Sequence, residues 1–390
     1  MPHCNKQMIS FFLETRCNLR CVYCYNSKER ADRNKENKEN TLSLDIAKAG
    51  IDEYFKENCG DFAVKLDNRE SRHIRFYGPG EATEAVGFRR IQEIVNYAQE
   101  AAQAVDYKLI TELQTNGAFN KEVRSWVLEN IDLLWISFDG TPNIHDRQRP
   151  MVDDKDENKT KRSSEKIEEN IKWLFENKEN RKRQTEFMIG LRSTVTNESI
   201  NHQKDMIDYF KKLGVDYIWS DPEFPAVGKD IASEDVAKMA KYNFDLIAYV
   251  EKYVEAYRYA KSKGVFYGSF LACNFDGRTE INCRACLPVP HITPDGYVSA
   301  CDLVVCGEQT KDSPKHMDCF IYGKWDNDSG KFNFKDKIYA DRFQSLKTRK
   351  VSTMAGCNGC IARYHCSGYT RLREAATTLC AMRVQNFRAT

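Results

Sequence analysis

The chain has 390 residues, 41% of them hydrophobic and 12% aromatic, which is enough to bury a sizeable core in about two to three domains. Its formal net charge of +2, from 59 basic and 57 acidic residues, indicates neither a nucleic-acid partner nor a membrane surface. The first residues form no apolar signal segment, and no run approaches the ~18 apolar residues that span a bilayer, so we expect a cytoplasmic protein. Thiols stay reduced in that compartment, so the 15 cysteines indicate metal binding more than disulfides.

Apolar and β-branched runs alternate with amphipathic stretches through the first half of the chain. The predicted strands are Met8–Leu13, His73–Tyr77, Lys108–Gln114, Leu133–Phe138, Glu186–Val195 and Asp216–Trp219. The predicted helices are Ala85–Ala104, Lys121–Asn130, Ser164–Asn177 and Ile200–Leu213, the last stopped by Gly214. Alternation of this kind implies parallel strands with right-handed crossovers. Six such units predict an α/β fold with an open, partial (β/α)6 barrel, smaller than the full TIM barrel.

The remaining segments divide the chain further. The charge-dense segments 29–40 and 151–166 are predicted to be solvated loops. A long helical pattern over 233–264 is expected to end the alternation, and beyond Cys273 the sequence becomes rich in Gly, Pro and Cys. We therefore predict a barrel over 1–225, a bridging helical region over 226–282 and a cysteine-rich domain over 283–390.

Three cysteines, Cys17, Cys21 and Cys24, lie directly after the first predicted strand in "TRCNLRCVYCYN". Structural zinc sites take four ligands in two close pairs, so a lone triple is a poor zinc signature, although a chance group of buried or zinc-binding thiols is the alternative. In a four-iron cluster, three thiolates hold three irons and leave the fourth iron open. The CX3CX2C spacing resembles the radical S-adenosylmethionine (SAM) superfamily. The resemblance implies that SAM binds the open iron and that an electron from the cluster releases a 5′-deoxyadenosyl radical.

The turn "GPGE", residues 78–81, follows the second predicted strand, where that superfamily usually has GGE. By this resemblance Gly78 and Gly80 let the backbone approach the cofactor, and the Glu81 carboxylate accepts from its ammonium group. Pro79 departs from the pattern. Taken alone, the four residues are an ordinary turn.

Further polar residues stand at the ends of later strands, in "LQTNG", "WISFDG" and "LRSTVT". In barrels the carboxyl ends of the strands face the active site. The resemblance therefore implies SAM-binding candidates at Tyr23, Thr115, Asn116, Ser137, Asp139 and Arg192, although each motif alone is typical of a turn. The segment "PNIHDRQRP" resembles the HDxxR motif of the same branch, with His145 either a hydrogen-bonding or a catalytic residue.

The last third contains a second cysteine pattern. Cys286, Gly296 and Cys301 fit CX9GX4C, whereas Cys357, Cys360 and Cys366 fit CX2CX5C, with Cys380 beyond them. The pattern resembles the SPASM extension of peptide- and protein-modifying radical enzymes, and a zinc ribbon is the alternative. The resemblance implies two auxiliary four-iron clusters, three clusters in all. Their implied ligands are Cys283, Cys286 and Cys301 for one cluster, and Cys357, Cys360, Cys366 and Cys380 for the other.

One ligand of the extension is missing, because Thr370 stands where a further cysteine completes the first auxiliary cluster. Either Cys306 or Cys319 fills the site, or one iron stays exchangeable. The sequence favours the open iron, to which a peptide thiolate could bind.

These features predict an enzyme that installs a C–S or C–C crosslink in a ribosomally made peptide. Its expected partners are the peptide, an electron donor of flavodoxin or ferredoxin type and, since few residues precede the first strand, a separate leader-binding protein. One alternative is a sulfatase-maturing enzyme that forms formylglycine, because Asp302 follows Cys301 where that family has its general base. Another is a non-catalytic iron-sulfur electron carrier, which leaves "GPGE" and the barrel unexplained.

Overall fold

A single mixed sheet organises the chain. The computed structural model describes residues 8–24, 26, 41–62, 70–153, 156–223, 244–269, 289–304, 306–307, 315–348 and 350–353. Its strands are β1 (Ile9–Phe12), β2 (Ser71–Tyr77), β3 (Lys108–Thr115), β4 (Leu133–Ser137), β5 (Met151–Asp153), β6 (Asp156–Lys161), β7 (Met188–Val195), β8 (Tyr217–Pro222), β9 (Phe266–Gly268), β10 (His291–Ile292), β11 (Tyr297–Ser299), β12 (Ile321–Asp326) and β13 (Lys331–Asn333). Eleven of them form one sheet in the order β13-β12-β11-β10-β1-β2-β3-β4-β7-β8-β9, and β5 pairs with β6 separately.

Every pair from β10 through β1 to β9 is parallel. The α-helices are α1 (Leu44–Phe55), α2 (Ala85–Ala104), α3 (Lys121–Asn130), α4 (Pro142–Gln148), α5 (Ser164–Asn177), α6 (Gln203–Lys212), α7 (Leu246–Ser262) and α8 (Lys337–Lys347). Helices α2, α3 and α5 have the predicted bounds. The predicted α/β fold with a partial barrel is therefore confirmed.

The two faces of the parallel strands differ in character. On one face Phe11, Phe76 and Leu113 are fully buried in the same core as the helices. On the other face, which we call the lumenal face, Gln114 of β3 pairs in register with Trp135 of β4, and both are half-buried. Because strand side chains alternate between faces, the apolar core fixes which polar residues reach the lumen.

The alternation does not end at the long helical segment, and that expectation is wrong. Helix α7 leads into β9, which pairs in parallel with β8, so the two form one more β/α unit of the barrel. β9 has three residues. A strand this short is below the length at which a two-residue period can be recognised.

The segment 151–166 is not a solvated loop, as predicted, but an antiparallel hairpin of β5 and β6 that leads into α5. Its polar composition concealed the pairing, because strand propensity is weak for such residues. Met151 is 7% exposed and bridges to Leu19 beside the cysteine triple. The other predicted loop, 29–40, lies outside the described residues.

The C-terminal strands extend the barrel sheet directly, since β10 lies beside β1, with Ser10 opposite His291. From β10 to β13 the pairs are antiparallel, and the β10–β11 turn has Gly296 at φ +81°. The predicted domain limits stay predictions. None of the helices in the described ranges is long and apolar enough to cross a membrane.

Candidate active site

The cysteine loop, residues 17–24, leaves β1 and lies against the segment that follows α4. Two of its backbone N–H groups donate there, from Arg20 to Pro150 O at 2.8 Å and from Val22 to Gln148 O at 3.0 Å. The N–H of Val152 returns a bond of 2.8 Å to Asn18 O. The β5–β6 hairpin thus supports the loop that carries Cys17, Cys21 and Cys24.

Nitrogen donors surround two of the three sulfurs. The Cys17 Sγ lies 3.4 Å from the Leu19 backbone nitrogen and 3.9 Å from Asn116 Nδ2, at the end of β3. The Cys21 Sγ lies 3.8 Å from Arg149 Nη1. Donors placed in this way suit sulfur that carries negative charge, as in an iron-bound thiolate.

The thiols themselves are neutral in the metal-free protein. Burial raises the pKa of Cys17 to about 12, and it raises the pKa of Cys21 to about 11 against the opposing charge of Arg149. Within the described ranges, no three His, Cys, Asp or Glu side chains are grouped where one metal ion could bind. The cluster ligands therefore stay a prediction.

Asp139, just beyond β4, ties the cysteine loop to the barrel. Its carboxylate is 1% exposed and accepts from Arg149 Nε at 2.9 Å, from the Thr194 backbone N–H at 2.9 Å and from the Tyr23 hydroxyl. Burial opposes the charge of Arg149, but Asp139 outweighs it and raises the pKa of that guanidinium well above its usual value. Asp139 and Tyr23, both predicted to bind SAM, thus bind each other and hold Arg149 beside Cys21.

The HDxxR segment has a supporting role. His145 is buried, and its Nδ1 accepts from the Asp139 backbone N–H at 3.1 Å. Its Nε2 lies 3.0 Å from Ser163 Oγ, whose own proton goes to Arg149 O, so we assign the proton to Nε2. Burial lowers the pKa of His145 well below its usual value. Asp146 accepts from the Ser163 backbone N–H at 3.0 Å and holds the start of α5. The imidazole is therefore a hydrogen-bonding residue in this structure.

Glu81 of the "GPGE" turn ties β2 to β3. Its carboxylate is 3% exposed and accepts from Thr115 Oγ1 at 2.7 Å and from the Asn116 backbone N–H at 2.6 Å. Thr83 donates twice more, through its hydroxyl at 2.6 Å and its N–H at 3.0 Å. A carboxylate offers about four acceptor positions. Protein groups occupy as many, so the structure places Glu81 in a positioning role and Thr115 beside it.

The same turn packs against the start of the cysteine loop. A methyl group on Gly80 would lie 2.6 Å from Glu14 O, whereas one on Gly78 would lie 3.5 Å from the same oxygen. Only Gly80 is therefore required by close approach. Asn26, which the sequence reasoning missed, donates from Nδ2 to Pro79 O at 2.8 Å. Its position two residues beyond Cys24 was the available signal.

The lumenal face holds the predicted candidates that stay half-exposed. Ser137 pairs in register with Arg192 of β7. The Arg192 Nη1 donates to Gln114 Oε1 at 2.8 Å, and Nη2 lies 3.8 Å from Asp221 Oδ2. The side chain of Arg192 is 24% exposed. Gln114 and Asp221 were missed, although the two-residue period of β3 and β8 places them on this face.

Asp302 brings a carboxylate from the C-terminal region to the barrel. Its Oδ2 lies 3.8 Å from Nη2 of Arg75, which is on β2 and donates from Nε to Ser10 Oγ at 2.8 Å. The Asp302 side chain is 37% exposed and that of Arg75 is 3% exposed. Cys301 is buried beside it. The other predicted auxiliary ligands lie outside the described residues, namely Cys283, Cys286, Cys357, Cys360, Cys366 and Cys380.

Comparison with known proteins identifies the fold. No family model matches the chain, and no curated protein matches it in sequence. A solved structure of anSMEcpe, an anaerobic sulfatase-maturating enzyme, with bound AdoMet matches with a TM-score of 0.63 at 17% identity, over 97% of this chain and 100% of that one. The same enzyme with AdoMet and the Cp18Cys peptide matches with a TM-score of 0.60 at 15% identity, over 97% and 99%. SuiB of Streptococcus suis bound to S-adenosylmethionine matches with a TM-score of 0.52 at 13% identity, over 94% of this chain and 73% of SuiB. The chain thus has the fold of these radical SAM enzymes.

Proposed function

We propose that the chain is a radical SAM enzyme that oxidatively modifies a peptide or protein. The observation that supports it best is the set of donors from Leu19, Asn116 and Arg149 that points at the sulfurs of Cys17 and Cys21. When bound, a four-iron cluster with SAM on its open iron supplies a carbon-centred radical that removes a hydrogen atom from the substrate. A reduced cytoplasm is the compartment that suits such a cluster.

The described residues take distinct roles in this proposal. Cys17, Cys21 and Cys24 hold the cluster, and Arg149 offsets its negative charge. Arg192 offers a half-exposed guanidinium at the carboxyl end of β7, suited to the SAM carboxylate, with Ser137 beside it on the lumenal face.

Other predicted cofactor residues act mainly as supports. Glu81 and Asp139 fix the positions of the strand ends around the cluster, since their oxygens accept from protein donors. Tyr23 fixes the cysteine loop through Asp139. Two further clusters, in the C-terminal cysteine-rich region, would accept the electron left on the oxidised substrate.

We propose that the product is a crosslink in a ribosomally made peptide, with an external flavodoxin- or ferredoxin-type donor and a separate leader-binding protein as partners. A peptide substrate is supported by the structure of anSMEcpe, which has the same fold and is bound to the Cp18Cys peptide. The test is mass spectrometry of candidate peptides after turnover. Loss of two hydrogen atoms per modification indicates a crosslink, and conversion of a Cys or Ser side chain to an aldehyde indicates formylglycine.

Formylglycine formation is the second candidate, because Asp302 is half-exposed and lies 3.8 Å from Arg75 on the lumenal face of β2. A carboxylate there could accept a proton from a thiol or alcohol as it is oxidised. Asp302→Asn should leave SAM cleavage without substrate intact and slow substrate turnover by about 10²-fold or more. Asp328→Asn, on the exposed β12–β13 turn, is the matched control and should change neither rate. Loss of iron in Asp302→Asn along with turnover would assign Asp302 a structural role.

A further inference from the structure

We infer that Cys319 is a ligand of the first auxiliary cluster, together with Cys301, and supplies the thiolate that Thr370 cannot. The inference rests on the proposed function, because it takes the auxiliary cluster as given. It assigns a role to a cysteine outside both spaced patterns of the C-terminal third.

The pairing of β11 with β12 brings the two cysteines together. Ser299 lies opposite Ile321, and the next residue, Ala300, donates its backbone N–H to Phe320 O at 2.8 Å. Cys301 and Cys319 are the next residues on each side of that bond. Directly opposed residues in antiparallel pairs have Cα atoms about 4.5–5.5 Å apart. The backbone therefore sets these two cysteines as neighbours, although 17 residues separate them in the sequence.

The surroundings of the pair fit an iron-sulfur ligand site. Cys301 is 6% exposed, and its neighbours Ala300, Val304 and Phe320 are also buried. The Cys301 backbone is fixed by Ser299, whose Oγ accepts from the Cys301 N–H at 3.0 Å. Thiolates in an apolar, water-poor setting are the usual ligands of such clusters, and exposure to solvent tunes their potential. Cys319 is half-buried at the end of this apolar group.

Cys306 is equally near in sequence, but its neighbours direct it elsewhere. Its neighbour Gly307 donates its N–H to the Asp295 carboxylate at 3.1 Å, in the β10–β11 turn. A methyl group on Gly307 would overlap the ring of Tyr297, the first residue of β11. Tyr297 stands four residues before Cys301, and a strand advances about 3.3 Å per residue. Gly307 thus holds Cys306 toward the turn, and Cys319 is the cysteine beside Cys301.

This assignment replaces the open iron favoured by the sequence. A cluster bound by Cys283, Cys286, Cys301 and Cys319 has four protein thiolates and leaves no iron for a substrate thiolate. The substrate cysteine, where there is one, must then be held by the barrel and by the residues around Asp302.

The experiment counts iron in a chain that lacks the first cluster site. With Cys17, Cys21 and Cys24 changed to Ala, two reconstituted auxiliary clusters should hold about eight irons per chain. Adding Cys319→Ser should remove about four of these, or leave a three-iron cluster visible by electron paramagnetic resonance in the oxidised protein. Cys306→Ser and Cys59→Ser, both at buried cysteines, are matched controls and should keep the full iron content. The readout is independent of the proposed function at Cys17–Cys24, whose failure would instead show as no iron lost in the parent variant.

A rescue keeps the test decisive if Cys319→Ser folds poorly. Thr370→Cys restores the cysteine of the resembled pattern, and in the Cys319→Ser chain it should return the iron content and the four-iron spectrum. Full iron with an unchanged spectrum in Cys319→Ser overturns the inference. So does iron loss in Cys306→Ser alone, or a Cys301–Cys319 disulfide in the iron-loaded protein, found by alkylation and peptide mapping.

Discussion

The two ends of β4 carry the same chemical device and use it differently. Before the strand, buried Asp132 accepts from Arg181 Nη2 at 2.6 Å and from Arg183 Nη2 at 2.8 Å. After the strand, buried Asp139 accepts from Arg149 Nε at 2.9 Å. Both carboxylates also take a backbone N–H from a neighbouring strand or the segment beside it.

What differs is the next contact of the arginine. Arg183 donates onward to Leu109 O at the start of β3, so the Asp132 group closes the base of the barrel. Arg149 instead reaches Cys21 Sγ at 3.8 Å and lies over the ring of Tyr23. A buried ion pair is therefore no indication of a functional site by itself, and its neighbours decide what it does.

The largest expected effect separates the two ends. Removing one partner of a buried ion pair costs about 3–5 kcal/mol, so Asp139→Ala and Asp132→Ala should both lower the free energy of unfolding by that order. Only Asp139→Ala should also reduce iron binding at Cys17, Cys21 and Cys24, because only it releases Arg149 and Tyr23. Denaturant unfolding and iron analysis on the same preparations provide the measurement. Equal iron contents in the two variants would remove the distinction between the ends.

A second variant asks whether Glu81 holds strands or cofactor. Glu81→Gln brings amide hydrogens toward the donors of Thr115 and Asn116, and an unsatisfied buried group costs about 1–3 kcal/mol. We expect that loss in the free energy of unfolding, together with a SAM dissociation constant that changes little in the protein that remains folded. Unchanged stability with much weaker SAM binding would make Glu81 a cofactor ligand instead.

The glycines of the "GPGE" turn give a closely matched pair. Gly80→Ala places a methyl group against Glu14 O and should cost about 1–3 kcal/mol in unfolding free energy, as overpacking does. Gly78→Ala meets only ordinary contact at 3.5 Å and should cost less. Thermal melts of the two variants decide the point. The reverse order would show that the turn does not pack on the cysteine loop as described.

The smallest stability effect is expected on the lumenal face. Arg192 is part-exposed and 3.8 Å from Asp221, and such pairs contribute about 0–1 kcal/mol. Arg192→Gln should therefore leave stability and iron content nearly unchanged and weaken SAM binding, measured by titration calorimetry. Unaltered SAM affinity would exclude Arg192 as a carboxylate ligand.

The sequence predicts the long elements well because their periodicity is strong. The bounds of α2, α3 and α5 match the prediction, since each has an apolar stripe that packs on the sheet. β9 and the β5–β6 hairpin were missed because they are short or polar and are fixed by pairing with distant strands. The same limit applies to the site. Sequence places Glu81 and Asp139 at strand ends, but only three-dimensional packing shows which donors occupy their oxygens.

The measurement that tests the central claim most directly is SAM cleavage by the reduced, reconstituted protein. The intact chain should release 5′-deoxyadenosine, whereas the chain with Cys17, Cys21 and Cys24 changed to Ala should release none and bind about four fewer irons. Cys59→Ser, a buried cysteine outside the loop, should keep both properties. Cofactor cleavage that persists in the triple variant, or that is absent from the fully loaded intact chain, would contradict the account.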